Sequence, residues 1–393
     1  MTITRILESD KRYKIVYCTP ALYMAGGVER VLTLKANYFA EQYGYDITIV
    51  LTEGKNKPLF YPLSDKVKVV NLDINFEELW KCSFFRKIFI YLRKQRIFKK
   101  KLTSLLIQLK PDLTISLLRR EINFITDIND GSKKVGELHI NRANYRNFDV
   151  KDSNVLKSLF SKIWSYSLVG KLKKLDKLVV LTERDKEAWV ELDNVISIPD
   201  PLSFTPSSIS ELKNKKVLAV GRYSHEKGYD MLLNAWKTVS FKFLDWSLYI
   251  YGDGDHTYLD NLIKELDIHN CFLCGRTLDV EKEYLSSSIF VCSSRFEGFG
   301  MVILEAMACG LPIVSYDCPW GPSAIITNMK DGYLVENGNV DALADSICKL
   351  IENLELRKEF GNNAQKNVLR FSRDNVMHQW VDLFESLFLE KGS

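Results

Sequence analysis

At 393 residues the chain is longer than one ordinary core requires, and about 100–200 residues per domain implies two domains. Its 46% hydrophobic and 26% charged composition is that of a globular protein and excludes disordered and fibrous classes. The net charge of +4 is too small for a dedicated nucleic-acid binder, so no nucleic-acid partner is expected.

The amino-terminal stretch MTITRILESDKRYK is charged and lacks the apolar core of a secretory signal. No run approaches the roughly 18 apolar residues that span a bilayer. Eight cysteines scattered over the chain do not form a small disulfide scaffold, which suits a reducing compartment. The sequence therefore reads as cytoplasmic.

Short β-branched runs then alternate with amphipathic ones. Strands are predicted at Tyr13–Cys18, Asp46–Leu51, Val67–Leu72, Asp112–Leu117, Lys133–Gly136 and Lys177–Leu181, with helices at Val28–Gln42, Arg86–Leu109 and Val155–Lys174. The strands lack strict alternation, as in a parallel sheet covered on both faces. Between Glu78 and Asp112 there is no acidic residue, whereas Arg86, Lys87, Arg93, Lys94, Arg96, Lys99, Lys100 and Lys101 supply eight positive charges among aromatic and aliphatic residues. Such a stretch suits a helix on an anionic membrane face, and residues 84–101 are the candidate contact. It equally suits an ordinary helix with a solvated basic face. Lys171, Lys173, Lys174 and Lys177 form a second, smaller cluster.

The segment IPDPLSFTPSS from Ile198, with prolines at 199, 201 and 206, can continue neither a helix nor a central strand. It is read as the linker between residues 1–199 and 200–374. Beyond it the alternation restarts, with strands at Lys216–Gly221, Trp246–Tyr251, Cys271–Cys274, Ile289–Cys292 and Pro312–Ser315. Helices are expected at Tyr229–Ser240, His256–Leu266, Val302–Cys309, Asn339–Glu352, Leu354–Leu369 and Asn375–Leu389. The pattern predicts two Rossmann-like, doubly wound α/β domains, and ligands of such sheets bind in loops at the carboxyl ends of the strands.

Three loops there carry chemistry. In TPALYMAGGVER, Gly26 and Gly27 precede a helix whose free N–H groups suit an anion or a sugar hydroxyl. In GRYSHEKG, Arg222 and Lys227 share one loop and can neutralise a diphosphate; His225 and Glu226 are expected to be exposed without a role. In SSRFEGFGMVILE, Glu297 and Glu305 flank a glycine loop that opens a helix, and carboxylates accept paired hydrogen bonds from vicinal hydroxyls.

The pair Glu297 and Glu305, spaced E-x7-E within RFEGFGMVILEAMACGLPIV, resembles the signature of family 4 glycosyltransferases, retaining enzymes of the GT-B fold. GRYSHEKGYDMLL is similar to that family's diphosphate loop, TPALYMAGGVERVL to its amino-terminal glycine loop, YIYGDGD to its G-x-G turn and DGYLVENGNVDALADSI to its carboxyl-terminal stretch. The resemblance implies Arg222 and Lys227 on the donor diphosphate and Glu305 on the ribose. It places Glu297 with the backbone of Gly298, Phe299, Gly300 and Met301 on the donor sugar, and Gly27 beside the phosphate or sugar. Gly252 would lie in the turn of the donor site, with Gly275 and Arg276 near the nucleobase. His139, in VGELHINRANYR, would touch donor sugar or acceptor, with Arg142 and Arg146 near an acceptor phosphate. The last helix, 375–393, would pack back on the first domain.

The implied reaction moves a sugar from a nucleotide diphosphate donor, UDP-linked by similarity of YDCPWGPSAII, to a glycan or lipid-linked acceptor in cell-surface polysaccharide assembly. The resemblance implies metal-independent chemistry with no cofactor, so Asp253–Gly254–Asp255 is read as a turn. Cys271 and Cys274 are read as buried apolar cysteines on a strand, not as a redox or zinc pair. A nucleotide-sugar epimerase and a catalytically silent binding subunit are the competing readings. A dinucleotide-dependent dehydrogenase lacks its GxGxxG.

Overall fold

The computed structural model describes residues 11–81, 83–147, 166–277 and 279–389. It divides into two compact units: Met1–Val180 with Ala188–Ile198 and Met377–Ser393, and Leu181–Glu187 with Pro199–Val376. Each unit is Rossmann-like.

The first unit carries β1 (Lys14–Cys18), β2 (Asp46–Leu51), β3 (Lys68–Asn71), β4 (Leu113–Ser116), β5 (Lys133–Glu137), β6 (Lys177–Val180) and β7 (Val195–Ser197). They form one sheet in the order β3-β2-β1-β4-β5-β6-β7, every pairing parallel. Ile15, Ile47, Leu113 and Val135 are fully buried, as expected where helices cover both sheet faces. The predicted strands were found within a residue or so at each end. Strand β7, three residues long, was not anticipated. Of the predicted Val155–Lys174 helix, residues 155–165 lie outside the described residues, and helix is present from 166 to 172.

Helix Phe84–Leu109 divides its apolar content between two faces. Phe98, Leu102 and Leu106 are buried in the core, whereas Ile88, Phe89, Leu92 and Ile97 are exposed. Several of its cations are engaged. Lys94 donates to the carbonyls of Ile74 and Asn75 and to Glu78, Lys101 to the Leu72 carbonyl, and Lys99 lies 3.5 Å from Asp127. Arg86, Lys87, Arg93, Arg96 and Lys100 remain exposed beside the outward apolar residues. Among the described residues, no helix is long and apolar enough to cross a membrane.

The carboxyl-terminal helix, Arg373–Leu389, supplies aromatic residues to the first unit. Phe384 packs against Phe39 and Tyr13, and Phe388 stacks on Tyr13 with ring centroids 5.4 Å apart.

The second unit carries β8 (Lys216–Val220), β9 (Ser247–Tyr251), β10 (Cys271–Leu273), β11 (Ile289–Cys292), β12 (Ile313–Tyr316) and β13 (Gly332–Val335). The order is β10-β9-β8-β11-β12-β13, again wholly parallel. Chain order reverses beside β8, so the loops that leave β8 and β11 emerge side by side. This is the topological switch point where open α/β sheets bind ligands.

Phe384 is fully buried. Phe384→Ala is expected to destabilise the first unit by about 3–5 kcal/mol through the cavity it leaves. Denaturant unfolding should show an earlier transition for that unit.

Candidate functional site

In the second unit, glycine and arginine lock the two switch-point loops together. Gly228 has φ +62° and lies so close to Ser293 that a Cβ would collide with the Ser293 carbonyl oxygen. Both constraints demand glycine there. Arg295 grips Asp230 bidentately, Nη1 to Oδ1 at 2.8 Å and Nη2 to Oδ2 at 2.6 Å, and donates also to the His225 carbonyl. The Arg295 N–H donates to the Glu226 carbonyl, and Ser293 Oγ to the Lys227 carbonyl. Arg295 and Asp230 escaped the sequence reading. Their signal is visible only once RFEG and KGYD are known to be neighbours.

These bonds bring Lys227 and Glu297 together. Lys227 Nζ lies 2.6 Å from Glu297 Oε1, and Ser294 Oγ donates to the same oxygen at 2.6 Å. Burial alone would lower the Lys227 pKa, but the Glu297 carboxylate overrides it and raises the pKa above the ordinary lysine value. Arg222, at the start of the same loop, is exposed. His225 is exposed as expected. Glu226 is half-buried instead, and the neighbouring Ser224 side chain holds its carboxyl below the usual range.

Gly298 is half-buried, and Gly300 (φ +109°) precedes helix Met301–Ala308, whose first turn no side chain caps. Phe299 packs its ring on Phe371, so this residue can offer a ligand only its backbone. Glu305 is buried, and each of its oxygens accepts a hydroxyl: Ser203 Oγ at 2.6 Å and Tyr284 OH at 3.0 Å. Neither partner was foreseen.

The neighbouring loops are stitched likewise. Gly252 donates to the Gly275 carbonyl, and a Cβ on Gly252 would collide with the Gly221 carbonyl. Tyr223 OH donates to the Ile250 carbonyl and accepts from the Gly275 N–H. Arg276 is exposed beside them. Asp253 accepts from the Gly254 N–H, and Asp255 from the backbone and hydroxyl of Thr257, so these carboxylates shape a turn and a helix start. Strand β10 ends at Leu273, so Cys274 lies beyond it. Both Cys271 and Cys274 are half-buried rather than buried, and burial raises their thiols, which disfavours reactive thiolate.

In the first unit, Gly26 and Gly27 begin helix Gly27–Gln42. A Cβ on Gly27 would meet nothing within 4 Å, so the fold itself does not require glycine there. After β5, His139 Nε2 lies 3.0 Å from Glu137 Oε1, which also meets Lys35 Nζ at 2.6 Å. Lys35 is 1% exposed and sits 3.4 Å from the Trp380 ring centroid. Burial alone would raise the Glu137 pKa; Lys35, then His139, overcome this and hold it at about 2. Arg142, read as a candidate for an acceptor phosphate, has protein partners. It grips Glu191 bidentately at 2.9 and 2.8 Å and donates to the Ala188 carbonyl. The Arg146 side chain lies outside the described residues.

With this geometry in hand, comparison with known proteins decides the family. The family "Glycosyl transferases group 1" matches residues 204–367. An uncharacterized glycosyltransferase of Haemophilus influenzae is 31% identical over 363 residues, covering 91% of this chain and 95% of that one. The chain belongs to the group 1 glycosyltransferases. A poly(ribitol-phosphate) alpha-N-acetylglucosaminyltransferase of Staphylococcus aureus is 29% identical over 261 residues, 65% of this glycosyltransferase and 51% of that enzyme. A mutant of S. aureus TarM, solved with Fondaparinux, alpha-GlcNAc-glycerol and UDP, matches with TM-score 0.75 and 18% identity, over 95% of this chain and 99% of that one. The shared fold is GT-B.

Because the folded pKa of Glu137 lies below its unfolded value, the pair with Lys35 stabilises this glycosyltransferase fully above the ordinary carboxylate value of 4.5. That contribution disappears as pH falls towards about 2. Glu137→Gln strands a buried ammonium and is expected to cost about 3–5 kcal/mol at neutral pH. Unfolding curves for both proteins should converge on acidification.

Proposed function

We propose that this glycosyltransferase is a family 4, retaining, metal-independent enzyme. It moves a sugar from a UDP-linked donor to a glycan or lipid-linked saccharide acceptor of a cell-surface polymer. The observation that carries this is the switch-point cluster: Arg222 and Lys227 leave β8 beside Glu297 and the uncapped start of helix Met301–Ala308. Two cations and backbone N–H groups suit a diphosphate, and carboxylates suit hydroxyls. UDP in the S. aureus TarM structure supports the nucleotide, and the poly(ribitol-phosphate) relative supports a polymer acceptor.

In this reading Arg222 and Lys227 take the growing charge of the leaving diphosphate. Glu297 and the backbone of residues 298–301 hold the sugar. Glu305, which also accepts the Ser203 and Tyr284 hydroxyls, holds the ribose diol. Gly252, Gly275 and Arg276 border the nucleobase. His139 and the Gly26–Gly27 helix start meet the sugar and acceptor. No carboxylate acts as nucleophile; the acceptor hydroxyl attacks on the face the diphosphate leaves, and the departing phosphate takes its proton. The "alpha" in the relative's name is the product that retention yields from an α-linked donor.

Arg222→Ala and Glu305→Ala are each expected to lower kcat/KM by about 10²–10³ while the fold persists. Sugar transfer with a panel of UDP-, GDP- and dTDP-sugars checks this, and near-normal turnover in both variants overturns the assignment.

We further propose a cytoplasmic enzyme that meets the anionic inner membrane face through Phe89, Ile88 and Leu92 with Arg86, Lys87, Arg93, Arg96 and Lys100. The support is their shared exposure on one helix. Vesicles containing phosphatidylglycerol should float the protein, and Phe89→Glu with Arg93→Glu should abolish flotation. Equal recovery with neutral phosphatidylcholine vesicles refutes the contact.

A further inference from the structure

The ion pair at the switch point has a consequence for ligand exchange. Lys227 and Glu297 side chains are only 19% and 11% exposed, so solvent screens their attraction weakly. The loops that carry them cannot draw apart without breaking the Arg295–Asp230 fork and the bonds from Arg295 N–H and Ser293 Oγ. The Lys227 ammonium thus faces a built-in anion, held in place by Ser294. A phosphate that approaches Lys227 meets the Glu297 carboxylate as rival and as like charge.

We propose that Glu297 is an internal competitor of the nucleoside diphosphate for Lys227, displaced by an intact donor and restored when the sugar has gone. The inference rests on the donor-site reading above. An intact nucleotide-sugar brings hydroxyl donors with its diphosphate. As Lys227 turns to the phosphate, the freed carboxylate accepts those hydroxyls, and both groups stay satisfied. The product diphosphate lacks the transferred sugar and its hydroxyls, so binding it leaves a half-buried carboxylate without its cation, which is costly. Glu297 therefore favours the sugar-bearing donor over the spent nucleotide and speeds product release. Arg222, exposed on the same loop, provides the anchoring charge that Glu297 does not contest.

The test is calorimetric titration of the full chain with UDP and with UDP-N-acetylglucosamine, beside UDP inhibition of turnover. Glu297→Gln keeps size and an acceptor oxygen but removes the charge. It is expected to bind UDP about tenfold tighter, with the inhibition constant falling in step, while UDP-N-acetylglucosamine gains nothing. The gain should vanish in a Lys227→Met background, since the competition is for that ammonium. Thermal unfolding of each variant verifies that the fold survives. UDP binding to Glu297→Gln that is no tighter than to the parent overturns the proposal and leaves the donor site standing. An equal gain in the Lys227→Met background overturns it too, because simple repulsion then explains the effect. Failure of the parent chain to bind UDP, GDP, dTDP or ADP at all refutes both this inference and the donor-site reading.

Discussion

The switch-point cluster follows from the reversal of strand order beside β8. A parallel sheet delivers all its strand-to-helix loops to one edge, and a reversal parts the two helical layers at one place along that edge. Here the loops from β8 and β11 meet there. Gly228 allows backbone contact with Ser293, and Arg295 ties Asp230 across the seam. Without that contact, Lys227 and Glu297, 70 positions apart in the chain, would be two unrelated surface charges.

The first unit solves its buried-charge problem differently. Lys35, Glu137 and His139 share one carboxylate oxygen, and the Trp380 face covers the ammonium. The carboxyl-terminal helix therefore contributes to the electrostatics around His139 as well as to the aromatic core beside Tyr13 and Phe39. An ammonium this far from water is tolerable only with a charged partner and a polarisable ring.

The two pairs differ in their access to solvent. Lys35 and Glu137 are almost wholly out of water, and the link from one to the other is structural. Lys227 and Glu297 retain some access to solvent at an edge where ligands arrive. The same chemistry serves as a permanent support in one unit and, as proposed, as an exchangeable contact in the other.

Much of this was legible in the sequence. Runs such as DITIVL and IFVC became strands with the expected bounds, because a buried parallel strand is a local apolar signal. GRYSHEKG and RFEGFGMVILE were legible as strand-to-helix loops, and the fold brings the two side by side. Strands β7 and β13 were missed because they are short and half-exposed, and their strand character comes from a neighbouring edge. Lys35 left a trace that can be read in hindsight. It occupies the buried stripe of its helix, four residues from both Val31 and Phe39. The sequence by itself determined two α/β units and the loops that leave their strands, since periodicity and motif spacing are local properties. Only the tertiary structure decided that Lys227 faces Glu297, that Arg142 pairs with Glu191, and that Ser203 and Tyr284 donate to Glu305. Those pairings depend on loops brought together by strand order, and strand order is a property of the packed sheet rather than of any one segment.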